Sequence, residues 1–258
     1  MTLSAIQARP SEKGFTLVEL AIVMIIIGLL IGGILKGQEL INNSRVTATV
    51  SQAKAVEAGI SSFRDKYAGF PGDLLAPVTR IAGCGTLCAT AGNANGQITG
   101  ATAGDPGAAN GAANEQSASF VQLGAAGMIG GVIPNTVVAD INRPGVSNPV
   151  IPIGGAWQLA YSNGNGTFNV SGAATLETGH YIVSLIAPGT AAALANIPFT
   201  AAQAENIDRK LDDGNAITGT TRALGTAGAV GATNCATAAG VYNSADGTPN
   251  CGVYVKVQ

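Results

Sequence analysis

The chain has 258 residues, room for one good-sized domain or two small ones. Only 11% are charged and the net charge is −2, with 13 scattered lysines and arginines, so neither nucleic acid nor an anionic lipid surface finds the basic patch it needs. Glycine, at 36 residues, is far above ordinary usage, and Ala, Thr and Asn fill much of the rest.

The first fourteen residues are short and polar, contain Pro10, and read as a leader rather than a domain. The stretch "KGFTLVELAIVMIIIGLLIGGIL" follows, from Lys13 to Leu35. Residues 15–35 carry one charge, Glu19, and match the ~20 residues that span a hydrocarbon core. A secretory signal peptide is the ordinary rival. Against it, the apolar run is long, no small-residue cleavage site closes it, and the chain continues in helical register. Arg9 and Lys13 place the N-terminus on the cytoplasmic side and the rest outside. An unpaired acid such as Glu19 costs roughly 2.5 to 3.5 kcal/mol inside a bilayer on insertion scales, so it needs a partner. Gly28 with Gly32, and Gly33 with Gly37, form small-xxx-small pairs that let helix backbones approach.

The segment "KGFTLVEL" resembles the processing site of type IV prepilins and type II secretion pseudopilins. The resemblance implies that a prepilin peptidase cuts after Gly14 and that the new N-terminal Phe15 is methylated. It further implies that Glu19 of one subunit meets the Phe15 amine of a neighbour, which would favour correct stagger. The implied division is a leader over 1–14, a transmembrane and filament-core helix over 15–37, and a pilin-like periplasmic or extracellular head over 38–258. That head includes the amphipathic half of the helix. Family members often carry a proline near position 36; here the residue is Lys36, and glycine flexibility is the expected substitute.

Beyond Lys36 the pattern turns amphipathic. Val46, Val50, Ala53, Val56, Ile60 and Phe63 recur at three- and four-residue steps. The helix should run to Tyr67 and stop at "AGFPG", a length of ~80 Å. Residues 83–114 read as a long irregular loop. Within it "GNANGQI" faintly resembles a Ca²⁺ loop, with asparagines where carboxylates are needed. Residues 115–129 read as a short helix carrying Phe120, Leu123 and Met128 inward. Strands are expected at 157–161, 167–171, 180–186 and 252–257, with "SNGNG" as a hairpin turn between the first two.

Residues 200–219 hold a helix opened by a Thr200–Gln203 capping box, carrying Ala204, Ile207 and Leu211 on one face and ended by Gly214. Asp208, Asp212 and Asp213 cluster at its end. They read as a solvated helix terminus, with a cation site or a clamp on a neighbouring loop as the alternative; the resemblance makes Ca²⁺ the candidate ion. "FRDKYAGFPGDL", "GNANGQI", "SFVQLGAAGMI" and "IDRKLDDGNAITG" resemble motifs of prepilin-like proteins with long heads, although the tryptophan usual near "SFVQL" is missing and the single one is Trp157.

Four cysteines form two close pairs, Cys84 with Cys88 and Cys235 with Cys251. The even count and the export-type N-terminus point to two disulfides. A zinc site would want tighter pairs or histidines, and His180 is the single histidine. Connectivity is not fixed by the sequence, and local pairing is expected because each pair brackets a turn-rich loop.

No catalytic constellation is evident. His180 stands in an expected strand, the glycine-rich segments lack a nucleotide-binding pattern, and adjacent Asp212 and Asp213 point different ways. The chain is expected to be no enzyme, and to need no cofactor apart from the Ca²⁺ alternative. The fold class expected is α+β, a long N-terminal helix packed on a small antiparallel sheet with long Gly-rich loops. The expected function is a structural subunit of a type IV pilus or similar filament, serving adhesion, motility or DNA uptake. A type II secretion pseudopilin and a non-polymerising anchored binding protein are the alternatives. Expected partners are the prepilin peptidase, identical or related pilin subunits, an inner-membrane assembly platform and the inner membrane before assembly. The finished filament would lie in the periplasm or at the cell surface.

Overall fold

The computed structural model describes residues 14–98, 114–135, 143–164, 176–186, 197–225, 235–237 and 239–257. The chain divides into two units, Met1–Asn43 and Ser44–Gln258. The helix α1, Leu17–Tyr67, contributes to both.

In the first unit α1 buries nothing: every described residue before Asn43 is exposed except half-buried Gly37. In the second unit the same helix buries Val46, Thr49, Val50, Ala53, Val56, Gly59, Ile60, Phe63 and Tyr67. These steps of three and four make one stripe. A side-chain carbon on Gly59 would lie 2.8 Å from Ile129, so the helix is approached closely there. The helix stops at Tyr67 because Ala68 turns left-handed, with φ of 51°, and Pro71 cannot continue it. The Arg80 guanidinium donates to the freed Tyr67 carbonyl.

A single turn, α2 (Pro77–Arg80), precedes the longer helix α3 (Glu115–Ala125). Asn114 and Ser117 cap α3 reciprocally at its start. At its end Gly127 is left-handed, with φ of 73°, and the Gly127 and Met128 amides donate to the Gly124 and Leu123 carbonyls. This Schellman closure ends the helix four residues before the expected boundary at 129. Phe120 and Leu123 are fully buried, and Met128 packs partly buried against the same core.

Four strands form one antiparallel sheet: β1 (Ala156–Ser162), β2 (Gly179–Leu185), β3 (Thr221–Gly225) and β4 (Cys251–Lys256), in the order β1-β2-β4-β3. Three of the expected strands are present within a residue or two. The expected strand at 167–171 and the last two residues of its hairpin turn, 165 and 166, lie outside the described residues. β3 was not expected. "TRALG" holds two apolar residues and a glycine, too little for a strand signal, and its pairing with β4 supplies the order.

Both faces of the sheet are covered. Trp157, Leu159, Ile182, Val253 and Val255 join the core built on α1, α3 and α4 (Ala201–Leu211). Ala160, Tyr181, Val183, Leu185 and Tyr254 form a second core on the opposite face with Leu176 and Ile197. That double burial explains why these strands read as nearly continuous apolar runs. Gln52 ties α1 to the sheet: its amide donates to the Val150 carbonyl at 2.9 Å and its oxygen accepts from the Trp157 indole at 3.0 Å. The architecture is α+β and pilin-like: a long helix with an apolar span plus a small antiparallel sheet.

Candidate processing and assembly site

Gly14 has no atom within 4 Å of where a side-chain carbon would stand, and Phe15 is 89% exposed. Nothing in the described chain shields this peptide bond. Thr16 then caps α1. Its hydroxyl accepts from the Glu19 amide at 3.2 Å, while the Glu19 carboxylate accepts from the Thr16 amide and hydroxyl, both at 2.9 Å. This is a reciprocal capping box. The carboxylate thereby also lies at the positive end of the helix dipole. Thr16 escaped the sequence reading, although "T-L-V-E" carries the pattern in plain form. Glu19 therefore has an intrachain role, opening the helix, beside any partner it meets.

The helix behind it is long and apolar enough to cross a membrane, with a window of mean hydropathy 2.8, none of it buried. A side-chain carbon on Gly28, Gly32, Gly33 or Gly37 would meet nothing within 4 Å. No contact inside this unit calls for glycine at those places.

Residues 9–35 match the family model described as the prokaryotic N-terminal methylation motif. The chain carries the signature of the prepilin-like proteins, the type IV pilins and pseudopilins. The match spans the basic residues, Gly14, Phe15, Glu19 and the apolar run together. No curated protein and no solved structure matches the chain. The prepilin-type motif implies processing by a prepilin peptidase and assembly with other pilin subunits. With the apolar helix, it is consistent with membrane anchoring before assembly.

The other residues singled out in the sequence lie in the head. Cys84 is bonded to Cys88 and Cys235 to Cys251, and no described cysteine is free. The first pair closes the loop beneath α3. Buried Gln122 of α3 grips that loop, donating to the Cys88 and Thr90 carbonyls and accepting from the Gly72 amide at 2.6 Å. The second pair pins the first residue of β4.

Asp208, Asp212 and Asp213 do come together, with ligand atoms within 4.8 Å of one another. The setting is not a solvated helix end throughout, because Asp208 is fully buried. Its carboxylate accepts from the Tyr242 hydroxyl at 2.8 Å and from the Gly214 amide at 3.4 Å. Burial pushes Asp208 up to about 7, outweighing those hydrogen bonds, and the neighbouring carboxylates push the same way. Asp212 accepts from the Thr220 amide, the Thr220 hydroxyl and the Thr221 amide. Asp213 accepts from the Asn215 amide and the Thr218 hydroxyl. The three acids thus fold the segment that leads from α4 into β3. That recruitment of Asp212 is why α4 ends at Leu211, before Gly214.

His180 is the second residue of β2 and is buried. Its ring stacks on Phe70 with centroids 3.7 Å apart, and the Arg64 guanidinium covers Phe70 at 4.6 Å. Burial, aided by Arg64, holds His180 down at about 4. The neutral imidazole thus packs within the head, stacked on Phe70.

Proposed function

We propose that the chain is a structural subunit of a type IV pilus or pilus-like filament, cleaved after Gly14 and assembled through α1. One observation carries this reading. A methylation motif opens a helix whose apolar surface and four glycines have no use within their own unit. A surface of that kind costs free energy in water and is covered by lipid before assembly and by neighbouring helices after it. Cleavage creates an α-amine on Phe15, four residues from Glu19. In a bundle from which lipid is excluded, the Glu19 carboxylate of one subunit is neutralised by the Phe15 amine of the next. Head loops with few charges face outward and meet the surface, the cargo or other cells. No catalytic step and no cofactor enter this reading.

The test is Glu19→Ala in the full-length chain in cells. The expected product is cleaved, carries methylated Phe15 by mass spectrometry, stays in the membrane and yields no fibres. Fibres at the unmodified level overturn the pairing. A mature protein that retains its first fourteen residues overturns the whole reading. Deleting the gene distinguishes filament types: loss of surface fibres marks a pilus subunit, whereas retained secretion substrates with unchanged fibres mark a pseudopilin.

A further inference from the structure

We propose that Asn95 is a self-modifying residue, converted to aspartate or isoaspartate by its own loop with Asp73 acting as the base. The inference is independent of how the filament assembles.

Four Asn-Gly steps occur in the sequence, at Asn95, Asn110, Asn163 and Asn165. Glycine after asparagine leaves the following amide nitrogen unobstructed, so each is a chemical weak point. The surroundings of Asn95 add two groups that the cyclisation needs. Ring closure requires the Gly96 nitrogen to attack Asn95 Cγ. The nitrogen must lose its proton, and the Cγ oxygen must carry negative charge in the tetrahedral intermediate.

Asp73 is 3% exposed, and its Oδ2 accepts from the Gly96 amide at 2.8 Å while Oδ1 accepts from the Asn95 amide at 3.2 Å. A carboxylate is therefore already seated on the proton that must leave. On the other side, the Gln97 amide donates to Asn95 Oδ1 at 2.8 Å, where the oxyanion forms. The same hydrogen bond closes a ring that contains Asn95 Cγ and the Gly96 nitrogen, which limits their separation.

The loop is held on Asp73 by backbone as well. The Ala94 amide donates to the Asp73 carbonyl at 3.1 Å and the Gly92 amide to the Leu74 carbonyl at 2.8 Å. A side chain at Gly92 would run into the Asp73 backbone, so this close approach depends on glycine. Asn95 itself is exposed, so water enters and ammonia leaves freely.

The step balances without a co-reactant other than water. A bond forms between the Gly96 nitrogen and Asn95 Cγ, and the bond from Cγ to the side-chain nitrogen breaks. Asp73 takes the proton from the amide and returns one to the departing ammonia. Water then opens the succinimide to a carboxylate. Nothing is oxidised or reduced. The product places a new negative charge beside buried Asp73, and the isoaspartyl form reroutes the backbone whose amide held Asp73. Conversion should therefore loosen residues 92–98 and lower the net charge of the head by one.

Asn163 is the internal control. The Gly164 amide donates to the Ser162 hydroxyl at 3.2 Å, which is no base. The experiment incubates the full chain in detergent at neutral pH, folded and in denaturant, and follows each Asn-Gly step by peptide mapping. In the folded chain Asn95 should convert at least about tenfold faster than in denaturant, in line with general-base assistance, while Asn163 should show no acceleration. Asp73→Asn keeps a hydrogen-bond acceptor and removes the base, so folded Asp73→Asn should lose the acceleration at Asn95. An Asn95 that converts no faster folded than denatured overturns the proposal, and that comparison holds even if Asp73→Asn does not fold. Unchanged acceleration in folded Asp73→Asn overturns the role of Asp73.

Discussion

Glycine is used in opposite ways in the two units. In the N-terminal one, a side-chain carbon on Gly28, Gly32, Gly33 or Gly37 would meet nothing within 4 Å among the described residues of that unit. In the head, Gly72 turns left-handed with φ of 98°, and a side chain there would overlap the Glu115 carbonyl. One set is answered by described residues of its own unit, the other is not. The same holds for apolar side chains: Met24, Leu29 and Leu30 are each at least 60% exposed, whereas Ile60 and Phe63 on the same helix are fully buried. A residue whose identity nothing inside its unit explains points to a surface outside it. That contrast is what supports the proposed assembly through α1.

The sharpest way to break this contrast is to substitute one glycine of each kind. Gly72→Ala combines a left-handed backbone with an overlap against fixed backbone, so roughly 3 to 5 kcal/mol of head stability should be lost. Gly32→Leu should leave the melting of the head unchanged and instead lower fibre yield. If Gly32→Leu destabilises the head, or Gly72→Ala does not, the division between inward and outward glycines fails. Chemical denaturation read by a head-specific probe, Trp157 fluorescence, measures both.

Smaller losses are expected from the disulfides, which act only in the head. Cys235 and Cys251 are 16 residues apart, and removing their bond should cost about 3 kcal/mol on the loop-closure estimate. Cys84 and Cys88 are four apart, and removing theirs should cost about 2 kcal/mol. Paired Cys→Ala variants, unfolded in denaturant, give the two values. A larger loss from the shorter loop would mean that Gln122, which grips the Cys88 carbonyl, depends on that bond for its place.

What the sequence revealed follows the range of the interactions involved. The long helix, its end at Tyr67, the α4 cap and three strands are written in local periodicity and in caps within four residues. The methylation motif is legible for the same reason, since Gly14, Phe15 and Glu19 lie in one short run. Thr16 was equally legible as the partner of Glu19. Gln122 was not: its partners are 50, 34 and 32 residues away, and one glutamine among the other polar residues of a short helix announces nothing. Asp73 and Asn95, 22 apart, were hidden in the same way. β3 was missed because its order comes from pairing with β4 and not from its own residues. The expectation of a solvated Asp208 failed because Tyr242, 34 residues on, arrives to bury it.

The smallest shift expected in the unmodified protein comes from two buried head groups that oppose each other. His180 titrates near 4 when folded against 6.5 when free. Between those values the unfolded chain binds the extra proton, so its contribution is full above 6.5 and is lost as pH falls towards 4. Asp208 titrates near 7 when folded against 3.8 when free. Here the folded chain binds the extra proton, so its contribution is full below 3.8 and is lost as pH rises through 7. Each effect amounts to about 3 kcal/mol between pH 7 and pH 4, with opposite signs, so they should nearly cancel in the unmodified chain. His180→Phe keeps the stack on Phe70 and removes one arm, so it should gain stability relative to the unmodified chain as the solution is acidified. Asp208→Asn keeps an acceptor for Tyr242 and removes the other, so it should lose stability over the same range. Melting curves of the three proteins at several pH values should therefore fan apart in opposite directions. Parallel curves would mean that neither group is shielded from water to the extent its packing shows, and that the head answers its buried polar groups no better than the N-terminal unit answers its glycines.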